Sequence, residues 1–123
     1  MILVDTSVWV DHLRKVDPVL VGLLEQESVL VHPFVIGELA CGNIRNRTEV
    51  LDLLQRLPMA PSATDDEVLA LIDRHRLMSK GLGLIDVHLL ASSALAGDAV
   101  LWTRDKQLSA IADRMGVGYR ARG

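Results

Sequence analysis

The sequence predicts an α/β fold, a three-layer α/β/α sandwich with a mainly parallel central sheet. Three short continuous apolar runs, at residues 1–4, 28–32 and 99–103, have the length and β-branched content of strands buried on both faces. Between them lie segments whose apolar residues recur at helical spacing, bounded by Pro, Gly, Ser, Thr or Asp. Strands that alternate with helices pair in parallel, because a parallel neighbour needs a crossover long enough to hold a helix.

The first run ends at Asp5, and Thr6 and Ser7 offer capping hydroxyls to a helix carried by Val8, Trp9, Val10 and Leu13. Pro18 suits the first turn of a second helix, with Leu20, Val21, Leu23 and Leu24 apolar and Glu25 ending it. After the strand at 28–32, Pro33 opens a third helix that closes near Gly42 and Asn43. Val50, Leu51, Leu53 and Leu54 space a helix over 48–57, which Pro58 and Pro61 break. Thr64-Asp-Asp-Glu67 is a capping-box pattern that starts a helix with Val68, Leu69, Leu71, Ile72 and Leu77, ended by Gly81 and Gly83. A helix over 86–96 closes at Gly97. The strand at 99–103 leads to Asp105, which starts a helix through Leu108, Ile111 and Ala112. A last weak strand is expected over 117–120.

At 123 residues the chain reads as a single domain, 1–123, large enough to bury a core. Hydrophobic residues make up 50% and charged ones 24%, a balance that excludes a disordered chain. Aromatics are only 3%, too few for a base-stacking platform. No run approaches the roughly 20 apolar residues of a membrane span. Met1-Ile-Leu-Val meets Asp5 without a basic flank, so no signal peptide is expected. The lone Cys41 excludes an internal disulfide and a Cys-based zinc site, and suits a reducing, cytoplasmic setting. A net charge of −3 argues against nucleic-acid binding by bulk charge, but leaves local basic patches open.

Most acids stand in polar contexts and need only a solvated helix face or a turn. Four do not. Asp5 ends the first strand, Glu38 lies inside Phe34-Val-Ile-Gly-Glu-Leu-Ala-Cys, Asp86 interrupts an apolar segment, and Asp105 follows the third strand. A buried ionised carboxylate costs roughly several kcal/mol unless it is paired. No Lys or Arg lies within a helical turn of Asp5, Glu38 or Asp86, so partners must come from elsewhere in the fold, from backbone amides, or from a cation. Ligands in parallel sheets bind beyond the carboxyl ends of the strands, where Asp5 and Asp105 are expected. Clustered carboxylates stay ionised together around Mg²⁺ or Mn²⁺, which prefer oxygen donors. The alternative stays open at three of these positions: Asp5, Asp86 and Asp105 also suit helix caps.

With these residues in place, the sequence resembles the PIN domain, and within it the VapC toxins of bacterial toxin–antitoxin pairs. The resemblance is carried by Met1-Ile-Leu-Val-Asp5-Thr6-Ser7-Val-Trp, by Glu38 in Ile-Gly-Glu-Leu, by Asp86 in Gly-Leu-Ile-Asp-Val-His-Leu-Leu-Ala-Ser-Ser-Ala-Leu, and by Leu-Trp-Thr103-Arg-Asp105-Lys. It spans nearly the whole chain. It implies a Mg²⁺- or Mn²⁺-dependent endoribonuclease with Asp5, Glu38, Asp86 and Asp105 at the acidic, metal-holding positions, and Thr6, Ser7 and Thr103 as supporting hydroxyls. It also implies a homodimer, and inhibition by a small cognate antitoxin whose C-terminal segment covers the active site. His88 departs from the pattern, standing where the family usually has an aliphatic residue.

The chemistry expected of such a site is hydrolysis of RNA phosphodiester bonds. An ion held by Asp5 and Asp86, helped by Glu38, would acidify and orient a water, and a second near Asp105 could stabilise the leaving oxygen; the sequence leaves one ion or two open. Grip on the substrate falls to basic residues near the site, Arg104 and Lys106 first, then Arg45, Arg47, Arg120 and Arg122. His12, His32 and His75 are read as structural or surface residues. Two rival readings are an RNA-processing nuclease of the same fold without an antitoxin, and a non-catalytic module whose acids are caps. An aspartyl-phosphate enzyme fits poorly, because Ser7 stands where a second Asp is needed.

Overall fold

The computed structural model describes residues 1–120, so Arg122 of the expected basic tail lies outside the described residues. Three strands, β1 (Ile2–Val4), β2 (Val29–Leu30) and β3 (Val100–Trp102), form a parallel sheet in the order β2-β1-β3. The register sets Leu3 between Leu30 and Leu101, and Val4 against Trp102. Leu3, Val4, Val29 and Leu101 are all at most 1% exposed. A strand buried on both faces must be apolar at every position, and that is the composition of these runs.

Single parallel bridges widen both edges of the sheet. Val31 pairs with Met59 on one side and Leu101 with Gly118 on the other. The second is the strand expected over 117–120, reduced to one bridge. The first was not legible, since Pro58 and Pro61 signal only a break; yet the Pro58 carbonyl and the Ala60 amide both bond Val31.

Seven helices lie among the described residues: α1 (Thr6–Arg14), α2 (Pro18–Glu25), α3 (Pro33–Cys41), α4 (Arg47–Arg56), α5 (Asp65–His75), α6 (Leu84–Ala96) and α7 (Lys106–Arg114). The chain leaves β1 toward β2 and the Met59 edge, then returns across the sheet to β3 and the Gly118 edge. Because crossovers between parallel strands are right-handed as a rule, these opposite directions place α1–α4 on one face and α5–α7 on the other, as the three-layer expectation requires. The contacts agree, with α3 against both α1 and α4, and α5 against α6. Helix α6 is buried continuously from Val87 through Ser93, the mark of a helix enclosed on all sides.

One boundary differs from expectation. Helix α5 stops at His75 rather than running on to Gly81 and Gly83. Arg76 takes a left-handed conformation with φ of 53°, and the Leu77 amide bonds back to the Ile72 carbonyl. This is a Schellman closure with Leu77 tucked in behind it. Helix α2 closes the same way, with Glu27 at φ of 56° and the Ser28 amide on the Leu23 carbonyl. Neither stop carries the glycine that would announce it.

Candidate active site

The connections from β1 and β3 depart in opposite directions, so the crevice between their carboxyl ends is the topological switch point of the sheet, the place where open α/β sheets bind ligands. The Asp5 amide bonds the Trp102 carbonyl at 2.9 Å, which locks the two strand ends together there.

Asp5 occupies the N-cap position of α1, but its side chain makes no cap bond. Its Oδ2 accepts from Ser7 Oγ at 2.8 Å and Thr103 Oγ1 at 2.7 Å. Those hydroxyls in turn accept the amides of Arg104, at 3.0 Å, and Asp105, at 3.1 Å. Every proton in this relay has one direction, from the loop after β3, through two hydroxyls, to one carboxylate oxygen. The carboxylate is thereby fixed in orientation, and its Oδ1 accepts nothing from the described residues. Thr6 and Ser7 therefore do not serve as helix caps, as their position suggested. Ser7 holds Asp5, and Thr6 donates to Glu38 Oε1 at 2.6 Å, drawing α3 toward the same crevice.

Asp86 sits in the first turn of α6 and accepts the Gly83 amide at 3.1 Å. Burial raises its carboxyl above the ordinary carboxylate range; the Gly83 amide opposes this, and the negative charges of Asp5, Asp105 and Glu38 raise it further. Four acids far apart in sequence therefore share one electrostatic neighbourhood. Asp105 also behaves as a helix cap, accepting the Leu108 amide at 2.9 Å. The cap reading thus fails for Asp5 and holds in part for Asp86 and Asp105.

Oxygen donors coupled by mutual repulsion suit a hard divalent cation. Among the described residues no three Asp, Glu, His or Cys side chains are gathered closely enough to cage a metal. That spacing still fits Mg²⁺ or Mn²⁺, because Mg²⁺ keeps several of its waters and needs only one or two carboxylates. It does not fit an all-protein site of the zinc kind.

The basic residues sort differently from expectation. Arg104 is spent on structure: its two terminal nitrogens pair with Asp11 and Asp17, and its guanidinium lies 5.7 Å from the Trp102 ring centre. Burial alone would raise the Asp17 carboxyl, but the Arg104 bond and the Leu20 and Val19 amides hold it below its usual value. Asp11 and Asp17, read as solvated, thus tie α1 and the start of α2 to the loop that carries Thr103. Lys106 is exposed and makes no ion pair among the described residues. His88 is buried against Phe34, with ring centres 4.8 Å apart, and lies 6.3 Å from His32. This small ring cluster, assembled from the start of α3 and from α6, had no sequence signal beyond the odd placement of His88.

A family model described as PIN domain matches residues 2–114, and the chain belongs to the PIN domain family. The matched span includes every acid and hydroxyl of the crevice. The chain is also similar to Ribonuclease VapC32 of two Mycobacterium tuberculosis strains, CDC 1551 / Oshkosh and ATCC 25618 / H37Rv. Identity to each is 55% over 117 residues, covering 95% of this chain and 94% of the relative. No helix among the described residues is long and apolar enough to cross a membrane.

Proposed function

We propose that this chain is a divalent-metal-dependent endoribonuclease, acting through a single nuclease domain over 1–123 as the toxin of a VapBC-type pair. The observation that carries the reading is the Asp5 carboxylate, held by two hydroxyls at the switch point of the sheet with three further acids in its field. The name of the similar ribonucleases supports the substrate, RNA, and a partner antitoxin. A homodimer is part of the same proposal.

Asp5, Asp86 and Glu38 would hold Mg²⁺ or Mn²⁺, with Asp105 at the margin of the site. When bound, the ion neutralises phosphate charge and supplies an acidified water as the nucleophile. The chain itself supplies orientation. Ser7 and Thr103 fix Asp5, Thr6 fixes Glu38, and Lys106 offers a positive charge beside Asp105.

Purified protein is expected to cleave RNA in Mg²⁺ or Mn²⁺, to stop in EDTA, and to recover when the ion is restored. Cleavage undiminished by EDTA would reject the metal reading. Expression is expected to arrest growth, and a small protein encoded beside the gene to relieve the arrest. The hydroxyl relay has its own test. Thr103→Val keeps the side-chain shape but removes the donor to Asp5 and the acceptor for the Asp105 amide. A loss of about 10- to 100-fold in cleavage rate is expected, the usual cost of removing an outer-shell partner. An unchanged rate would mean the relay is incidental.

A further inference from the structure

A cavity of about 500 Å³ opens beside the acidic crevice, between α1, α3 and the turn after α3, and Glu38 forms part of its wall. Val10, Leu13 and Ile44 give it an apolar floor, while Arg14, Asn43 and Arg45 stand exposed at its rim. Arg14 and Arg45 make no ion pair among the described residues, whereas Arg104, nearer the acids in sequence, is consumed by Asp11 and Asp17. Two exposed guanidinium groups without an ion pair among the described residues give this rim a local positive charge on a chain of net charge −3, and can take an anionic group. The apolar floor between them suits a weakly hydrated surface on the same occupant. A nucleotide unit meets both demands, and the volume lies in the range of pockets that enclose small organic ligands.

We propose that this cavity seats one unpaired nucleoside of the RNA, next to the phosphate that is cut. The inference rests on the ribonuclease reading for its substrate class. The base lies on Val10, Leu13 and Ile44, Asn43 hydrogen-bonds its edge with an amide that both donates and accepts, and Arg14 and Arg45 take the flanking phosphates. A paired base cannot enter, because its edge is used and its faces are stacked, so the RNA is single-stranded or looped at the cut. No aromatic residue among the described residues lines this floor, so aliphatic contact and guanidinium planes replace ring stacking.

The experiment measures binding rather than cleavage, using full-length Asp5→Asn protein. The probes are short fluorescein-labelled oligoadenylate, oligouridylate, oligocytidylate and oligoguanylate, and an abasic polyribose-phosphate chain of the same length. At least one base-bearing probe is expected to bind about tenfold more tightly than the abasic chain. Ile44→Ala is expected to erase most of that preference without changing charge. Asn43→Ala is expected to change the ranking of the four bases. Arg45→Ala is expected to weaken all probes alike and to lower the salt slope by about one. Equal binding of base-bearing and abasic chains, or a preference untouched by both Ile44→Ala and Asn43→Ala, overturns the nucleoside pocket. Wild-type protein that fails to cleave RNA while the base preference stands overturns the nuclease reading instead.

Discussion

Asp5→Asn is expected to lower RNA cleavage by at least about a thousandfold, or roughly 4 kcal/mol of transition-state stabilisation, while leaving the fold intact. The size follows from what Asp5 is asked to do. It is the one acid of the four that is buried, at 7% exposed, and fixed by two side-chain hydroxyls, with its second oxygen left free for a ligand. Asn occupies the same volume and still accepts from Ser7 and Thr103 through its carbonyl oxygen, so the hydroxyl relay has no reason to collapse. It cannot bring a negative charge to a cation. The substitution also relieves Asp86 of one like charge that raises its pKa. Stability is therefore expected to hold or rise, where loss of a structural ion pair would lower it. Paired measurements of cleavage rate and denaturant midpoint check both halves. A variant that keeps more than a tenth of the wild-type rate, or that unfolds at clearly lower denaturant, would move Asp5 from chemistry to scaffold.

Asp5, Glu38 and Asp86 stand out in the sequence because they lie among apolar residues with no local cation. A carboxylate inside Gly-Leu-Ile-Asp-Val-His-Leu-Leu has no local cation, and that absence can be read without coordinates. The groups that orient them could not be found by that logic. Thr103 reaches Asp5 across 98 positions, and a threonine after a strand is unremarkable by itself. The partners of Arg104 were hidden for the same reason. It adjoins the acids in sequence, yet its ion-pair partners lie 87 and 93 positions away. The helices and strands were readable where turn residues mark them, as at Pro18, Pro33 and the Thr64 capping box. They were not readable where Arg76 accepts a left-handed backbone that the burial and hydrogen bond of Leu77 impose. Local rules thus find what a residue lacks, and only the fold supplies what answers it.

Between pH 7 and 4.5 the protein is expected to lose stability on the order of 2 kcal/mol through His32 alone. The ring is 1% exposed, its Nδ1 accepts the Phe34 amide at 3.0 Å to cap α3, and its Nε2 is buried without a partner among the described residues. Burial, and then the charge of His88, lower its pKa from 6.5 to about 4. In the unfolded chain the imidazole takes a proton below pH 6.5; in the native state it takes one only near 4. Within that window the unfolded state binds more protons, so stability rises with pH, is complete above the unfolded value, and is lost as pH falls toward 4. The full shift would be worth more, but Phe34, which packs at a tilt against the ring, is itself 42% exposed, and nearby solvent screens part of it. His32→Asn isolates the effect, because the Asn side-chain oxygen can still accept the Phe34 amide and nothing at the position titrates. The variant starts from a lower denaturant midpoint at pH 7, since the smaller side chain leaves a void. Its further drop on acidification is expected to be smaller than that of the wild type, all other titrating groups being common to both. Equal drops in the two proteins would mean that the buried imidazole is already charged, or already solvated, at neutral pH.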